Sequence, residues 1–133
     1  MIALDSNVVL RALTGDDRRQ SRIAQRTMRA AVEGGTRMYI ADAVLCEVAW
    51  VLSRQQRMTR SGVAQSLREL LDTEMITVDD DRVVSAALER YGRGQGDFAD
   101  YLIGERAIAA GATEVVTFDR ALRGEPGFTL LGA

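Results

Sequence analysis

The chain has no histidine and no lysine, and holds one cysteine and one proline in 133 residues. Each absence closes a class of chemistry. Without histidine there is no Ser-His-Asp triad, no histidine-based zinc site and no paired-histidine route to metal-free RNA cleavage. Without lysine there is no Walker A phosphate loop, nor the lysine expected in receiver domains and aspartate-nucleophile phosphatases. Cys46 cannot form an internal disulfide, and its place in an apolar stretch reads as a structural thiol in a reducing compartment. No apolar run reaches the ~18 residues of a membrane span, and Asp5 ends the first apolar run, so neither a membrane anchor nor a signal peptide is expected. A cytoplasmic location follows as the expectation. What remains is carboxylate chemistry.

A net charge of −2 gives no global pull toward nucleic acid or membrane, so any polyanion binding must be local. The length suits one domain over residues 1–133 with its own core. Short apolar runs with strand character, residues 1–4, 37–41, 75–78, 114–118 and 128–131, alternate with helical patterns over 16–33, 42–54, 59–71, 79–91 and 97–110. Asp42 and Thr59 read as helix N-caps, Gly34-Gly35 and Gly111 as stops. Such alternation predicts an α/β fold with a parallel sheet of about five strands covered by helices on both faces. Ligands of such sheets bind beyond the carboxyl ends of the strands. Both Asp5 and Asp119 directly follow a strand, and neighbouring strands would bring them to one crevice.

Glu47 interrupts the apolar run 43–52. A carboxylate pushed into such surroundings loses roughly several kcal/mol of hydration unless it is paired, protonated or metal-bound, and a metal site is the economical reading. Asp97 and Asp100 stand three apart at a helix start, so both project from its first turn. Each aspartate also has a plain structural reading, since Asp5, Asp97 and Asp119 all suit helix caps. Their conjunction with Glu47 is what points to a site.

These residues resemble a family, the PIN-domain ribonucleases, and within it the VapC-type toxins of toxin-antitoxin systems. The resemblance rests on Asp5-Ser6-Asn7, on Leu45-Cys46-Glu47-Val48-Ala49-Trp50, on Asp97-Phe98-Ala99-Asp100-Tyr101-Leu102-Ile103, on Thr117-Phe118-Asp119-Arg120 and on the tail from Pro126 to Leu131. It implies a PIN-like three-layer sandwich and an acidic quartet of Asp5, Glu47, Asp100 and Asp119. Asp97 competes with Asp100 for the third place; Asp100 suits the helix register better and leaves Asp97 as a fifth acid. Asn7 and Thr117 are expected as supporting polar residues, and Gly104-Glu105 departs from the small apolar pair usual in the family.

Carboxylate oxygens without histidine or cysteine select a hard cation, Mg²⁺ or Mn²⁺. Asp5 and Asp100 are expected to bind the first ion, with Asp119 and Glu47 completing a second site or orienting the attacking water and Asp97 as a fifth acid or outer ligand of the metal. The resemblance further implies an RNA substrate, a VapB-like antitoxin and a homodimer. The apolar residues of 44–52 and 63–71 serve a dimer face or the core equally well. Arg18, Arg22, Arg26 and Arg29 recur at helical spacing and offer either a phosphate-tracking surface or a solvated face. Two other readings compete: a catalytically silent PIN-like module that binds RNA or protein, and a metal nuclease or phosphatase acting on DNA or small phosphoesters. The run from Gly92 to Gly96 is expected as a flexible loop. Its match to a dinucleotide pattern, Gly94-x-Gly96-x-x-Ala99, lacks a preceding strand and sets Asp97 where pyrophosphate would lie.

Overall fold

A computed structural model describes residues 1–132. The elements run β1 (Ile2–Ala3), α1 (Ser6–Leu13), α2 (Arg18–Glu33), β2 (Met38–Tyr39), α3 (Asp42–Arg54), α4 (Arg60–Leu71), β3 (Ile76–Thr77), α5 (Asp81–Arg93), α6 (Phe98–Ala109), β4 (Val115–Thr117), a 3₁₀ turn at Arg120–Leu122 and β5 (Phe128–Leu130). The chain is α/β with parallel strands, as the alternating pattern predicts. Two compact units divide it, Met1–Asp79 and the residues from Asp80 onward.

In the first unit β1, β2 and β3 form a parallel ladder in that order, with Ile2 opposite Met38 and Met38 opposite Ile76. Parallel neighbours need a crossover, and the helices α1 to α4 supply two. The apolar stripe of α3 is built from Leu45, Val48, Ala49 and Leu52, all buried, and α4 answers with Val63, Leu67 and Leu70. That spacing is the helical period. Each large side chain so buried contributes about 1.5–3 kcal/mol relative to exposure. Thr59 opens α4 by accepting from the Gly62 N–H at 3.1 Å, which is the N-cap role its sequence position predicts.

In the second unit β4 and β5 pair in parallel, Val115 opposite Phe128. The five expected strands are thus present and parallel, and they pair as ladders of three and two. The core here is Val83, Val84, Ala87, Leu88 and Tyr91 of α5 against Phe98, Tyr101 and Leu102 of α6, with Leu122. Tyr91 meets Phe98 edge-on at 6.3 Å and Tyr101 meets Phe128 edge-on at 6.4 Å, the geometry that the ring quadrupoles favour.

Gly104 and Glu105 prove to be a matched pair of adaptations. A β-carbon at Gly104 would stand 3.0 Å from the Phe128 ring, so glycine lets β5 close onto α6. Glu105 accepts from Arg90 at 3.3 Å, and the other arm of the same guanidinium donates to the Pro126 carbonyl at 2.6 Å. Arg90 also lies 5.2 Å from the Tyr101 ring centre and 5.6 Å from that of Phe128. One cation therefore ties α5, α6 and the turn before β5. Replacing Arg90 with alanine leaves Glu105 without this partner and removes the ring contacts, so Arg90→Ala is expected to cost about 2–3 kcal/mol. Urea denaturation checks this, and an unchanged midpoint would show that the tie contributes nothing.

Candidate active site

The first unit carries two of the expected acids. Asp5 is the N-cap of α1, in extended backbone geometry, and its Oδ1 accepts from the Ser6 N–H at 2.8 Å. The Ser6 hydroxyl, nearly buried, donates to Glu47 Oε2 and stands 3.4 Å from Asp5 Oδ1. Ser6 thus links an acid at the end of β1 to an acid in the middle of α3. The expectation that Glu47 is forced into an apolar environment is corrected. It lies on the exposed face of α3 with Ala43 and Trp50, while Leu45, Val48, Ala49 and Leu52 face inward. An unbroken apolar run need not be buried all round, because the helical period turns residues 43, 47 and 50 outward. Glu47 is placed by Ser6 rather than driven by desolvation.

The second unit carries the other three. Asp97 at the N-cap and Asp100 at the third position of α6 form a reciprocal capping arrangement, with Asp100 Oδ2 accepting from the Asp97 N–H at 2.8 Å. Asp119 is the N-cap of the 3₁₀ turn, its Oδ1 accepting from the Ala121 N–H at 2.9 Å. Thr117 supports it as expected, its hydroxyl accepting from the Asp119 N–H at 3.0 Å. Asn7 is exposed in the first turn of α1 and lines a groove between α1 and α2.

Capping and catalysis are compatible readings of the same carboxylates. A cap engages one oxygen, and Asp5 Oδ2, Asp119 Oδ2 and Asp100 Oδ1 keep no hydrogen-bond partner among the described residues. Asp100 also shows electrostatic stress. Burial raises its pKa above the ordinary aspartate value, and the charges of Asp97 and Asp119 raise it further, against the lowering effect of the Asp97 N–H. Two like charges that burden a third are what a cation would relieve. Among the described residues no three acids already stand close enough to cage an ion. Mg²⁺ does not need such a cage, since it keeps several waters and takes one or two carboxylates directly. The all-oxygen donor set fits that ion.

The loop before α6 is not the flexible segment expected from its glycines. Gly94 and Gly96 are buried, and the Tyr101 hydroxyl accepts from the Gln95 N–H at 3.0 Å and the Gly96 N–H at 3.1 Å. Burial raises the Tyr101 pKa, as does a hydrogen bond from its hydroxyl to the Glu125 carboxylate, while the two N–H donors lower it. Tyr101 therefore stays neutral and pins the approach to Asp97 and Asp100. A β-carbon at Gly96 would stand 2.6 Å from Leu122 and 3.1 Å from Asp100 Oδ2, so the second glycine is a requirement of the same close packing. In the sequence Tyr101 appears only as part of the Asp97–Ile103 motif.

The family model of the PIN domain matches residues 2–124, a stretch that crosses both units. The chain belongs to the PIN-domain family. Its parallel α/β organisation is that of a PIN-like sandwich. Comparison with curated proteins returns no matching relative. Among solved structures, the chain is similar to the sarcin-ricin loop cleaving toxin VapC20 of Mycobacterium tuberculosis, at 16% identity over 93% of this chain and 95% of that one, with a TM-score of 0.39. That likeness is too distant to bear on activity. Among the described residues no helix of this PIN domain is long and apolar enough to cross a membrane.

Proposed function

We propose that this PIN domain is a metal-dependent endoribonuclease that hydrolyses RNA phosphodiester bonds as the toxin of a toxin-antitoxin pair. The observation that carries the reading is the set of capped acids, Asp5, Asp100 and Asp119, each with an oxygen to spare, on a chain whose family membership points to a nuclease. Asp5, Asp97, Asp100 and Asp119 would hold Mg²⁺ or Mn²⁺. When bound, such an ion lowers the pKa of water and stabilises charge on phosphoryl oxygens.

The chain's own residues do the rest. Ser6 holds the Glu47 carboxylate in place beside Asp5, ready to accept a proton from an attacking water. With no histidine in the chain, a carboxylate is the base. Thr117 and the Ala121 N–H fix Asp119, and the capping pair fixes Asp100. A VapB-like partner would inhibit by placing a cation among these acids, where an arginine fork pairs well with carboxylates. A homodimer and a cytoplasmic location complete the proposal, with one functional domain over the whole chain.

The test is incubation of partner-free protein with structured RNA, with DNA of matched sequence and with p-nitrophenyl phosphate, each with Mg²⁺, with Mn²⁺ and with EDTA. RNA cleavage that needs the metal is expected. Cleavage of DNA or of the small ester alone would move the chain to another hydrolase class. RNA binding without cleavage in either metal would make it a silent binding module.

A further inference from the structure

Helices α1 and α2 carry a charge pattern unlike the rest of the chain. From Ser6 to Glu33 six arginines stand against three acids, in a protein that is net negative. Arg18, Arg19, Arg22, Arg26 and Arg29 are all exposed, and none makes a side-chain hydrogen bond or ion pair among the described residues. By contrast Arg54 of α3, Arg60 and Arg68 of α4 and Arg106 of α6 all make interactions, and Arg90 and Arg93 of α5 pair with Glu105 and Glu89. The nearby acids of α2 are already engaged. Asp17 caps the helix through the Gln20 N–H at 2.9 Å, and Asp16 accepts from Gln56 at 2.6 Å.

Positions 18, 22, 26 and 29 fall within an arc of about 80° and span about 16 Å of helix axis. They form one row. Beside it lies a groove of about 590 Å³ between α1 and α2, lined by Asn7, Arg11, Arg19, Gln20 and Ile23 among others. Arg11 is held toward it by a 2.7 Å bond to Gln20. Asn7 lines this groove two residues beyond Asp5 in the chain, while Arg18 and Arg22 of the row line a second hollow beside residues 12–15.

We infer that the α1–α2 surface is a phosphate-tracking site for single-stranded RNA, with Arg11 and Arg19 at its entrance and Arg18, Arg22, Arg26 and Arg29 along the backbone. The inference deepens the ribonuclease reading and rests on it. A row of exposed like charges with no protein counterion gathers mobile anions, and bound phosphates release these in proportion to the arginines they meet. Isolated solvated arginines elsewhere would show no such common direction.

The test compares R18Q/R22Q/R26Q with R37Q/R57Q/R82Q, a set of exposed arginines outside the row that removes the same charge. Both are made in an Asp5→Asn background, so only binding of a fluorescein-labelled single-stranded RNA is read, against salt. The row variant is expected to bind at least tenfold more weakly at low salt and to flatten the log-log salt slope by about two, with the control set near the parent. Equal slopes in the two sets would overturn the inference. So would a row variant that keeps RNA binding but loses binding of poly-L-glutamate, which would make the surface a protein dock. Cleavage by the chain with its native Asp5 is measured separately. Metal-dependent cleavage alongside an unchanged slope fails this inference alone, whereas neither cleavage nor RNA binding fails the function itself.

Discussion

Asp100→Asn is expected to stabilise the metal-free protein while lowering metal-dependent cleavage by about a hundredfold or more. The two effects share one cause. Burial and the charges of Asp97 and Asp119 raise the Asp100 pKa, so the folded state holds that proton more tightly than the unfolded chain does. The associated stability is therefore largest at low pH. It is lost as pH rises from the ordinary aspartate value through the raised one, and the penalty is full only above the raised value. The helix dipole favours an ionised acid at this position by about 0.3–1 kcal/mol, which works against the gain from removing the charge.

Asparagine removes the charge and keeps an acceptor for the Asp97 N–H. Because Asp100 is partly exposed, solvent screening holds the gain below about 1 kcal/mol, a rise of a few degrees in melting temperature. Adding Mn²⁺ should raise the melting temperature of the parent protein, since a ligand that binds only the folded state stabilises it, and should leave the variant unmoved. Thermal denaturation in EDTA and in Mn²⁺ at pH 5 and pH 8 reads all of this. A variant less stable than the parent at pH 8 in EDTA would show that Asp100 is a structural cap and nothing more.

The largest stability effect is expected from Gly94→Ala. Its β-carbon would lie 1.8 Å from the Tyr101 hydroxyl oxygen, 2.5 Å from the adjoining ring carbon and 3.1 Å from the Arg90 carbonyl. Tyr101 cannot swing away, being fully buried and held by the Gln95 and Gly96 N–H groups. The loss should be about 3 kcal/mol, or about 10 °C in melting temperature, and cleavage should fall with it because the displaced segment leads into Asp97 and Asp100. Gly15→Ala is the control, because a β-carbon there meets nothing within 4 Å. Tyr101→Phe on the native glycine loses two accepted hydrogen bonds and the one donated to Glu125, and should cost about 1–3 kcal/mol. In the double variant the clash with the ring carbon persists, so phenylalanine should recover only part of the Gly94→Ala loss. Full recovery would place the whole clash on the hydroxyl.

Much of the fold was legible because local rules agreed with one another. Helix α3 runs over Asp42–Arg54 as its apolar pattern predicts, although its N-cap is Ala41 and Asp42 is the first helical residue, and Thr59, Asp97 and Asp119 all cap the elements that follow them. The start of α1 was visible only as a cap at Asp5, since its eight residues are too few to show a period. Glu47 was misread because composition alone does not say which side of an apolar helix faces solvent. Tyr101, Arg90 and Gly104 were invisible as a group. Their partners lie at Gln95, Pro126 and Phe128, and only the fold brings those positions together. The acids themselves were legible as residues. Their second role as caps shows why a carboxylate pattern needs an activity test before it becomes a site.

The proposed ribonuclease activity requires both Asp5 and Asp119. Its most direct test is the cleavage rate at saturating RNA and Mn²⁺ for Asp5→Asn, Asp119→Asn and the double variant. Residues that act as a unit are grossly non-additive, so each single change should remove nearly all activity and the double should be no slower than the worse single. Two partial losses that multiply in the double variant would mean the acids act independently, and the account would be wrong.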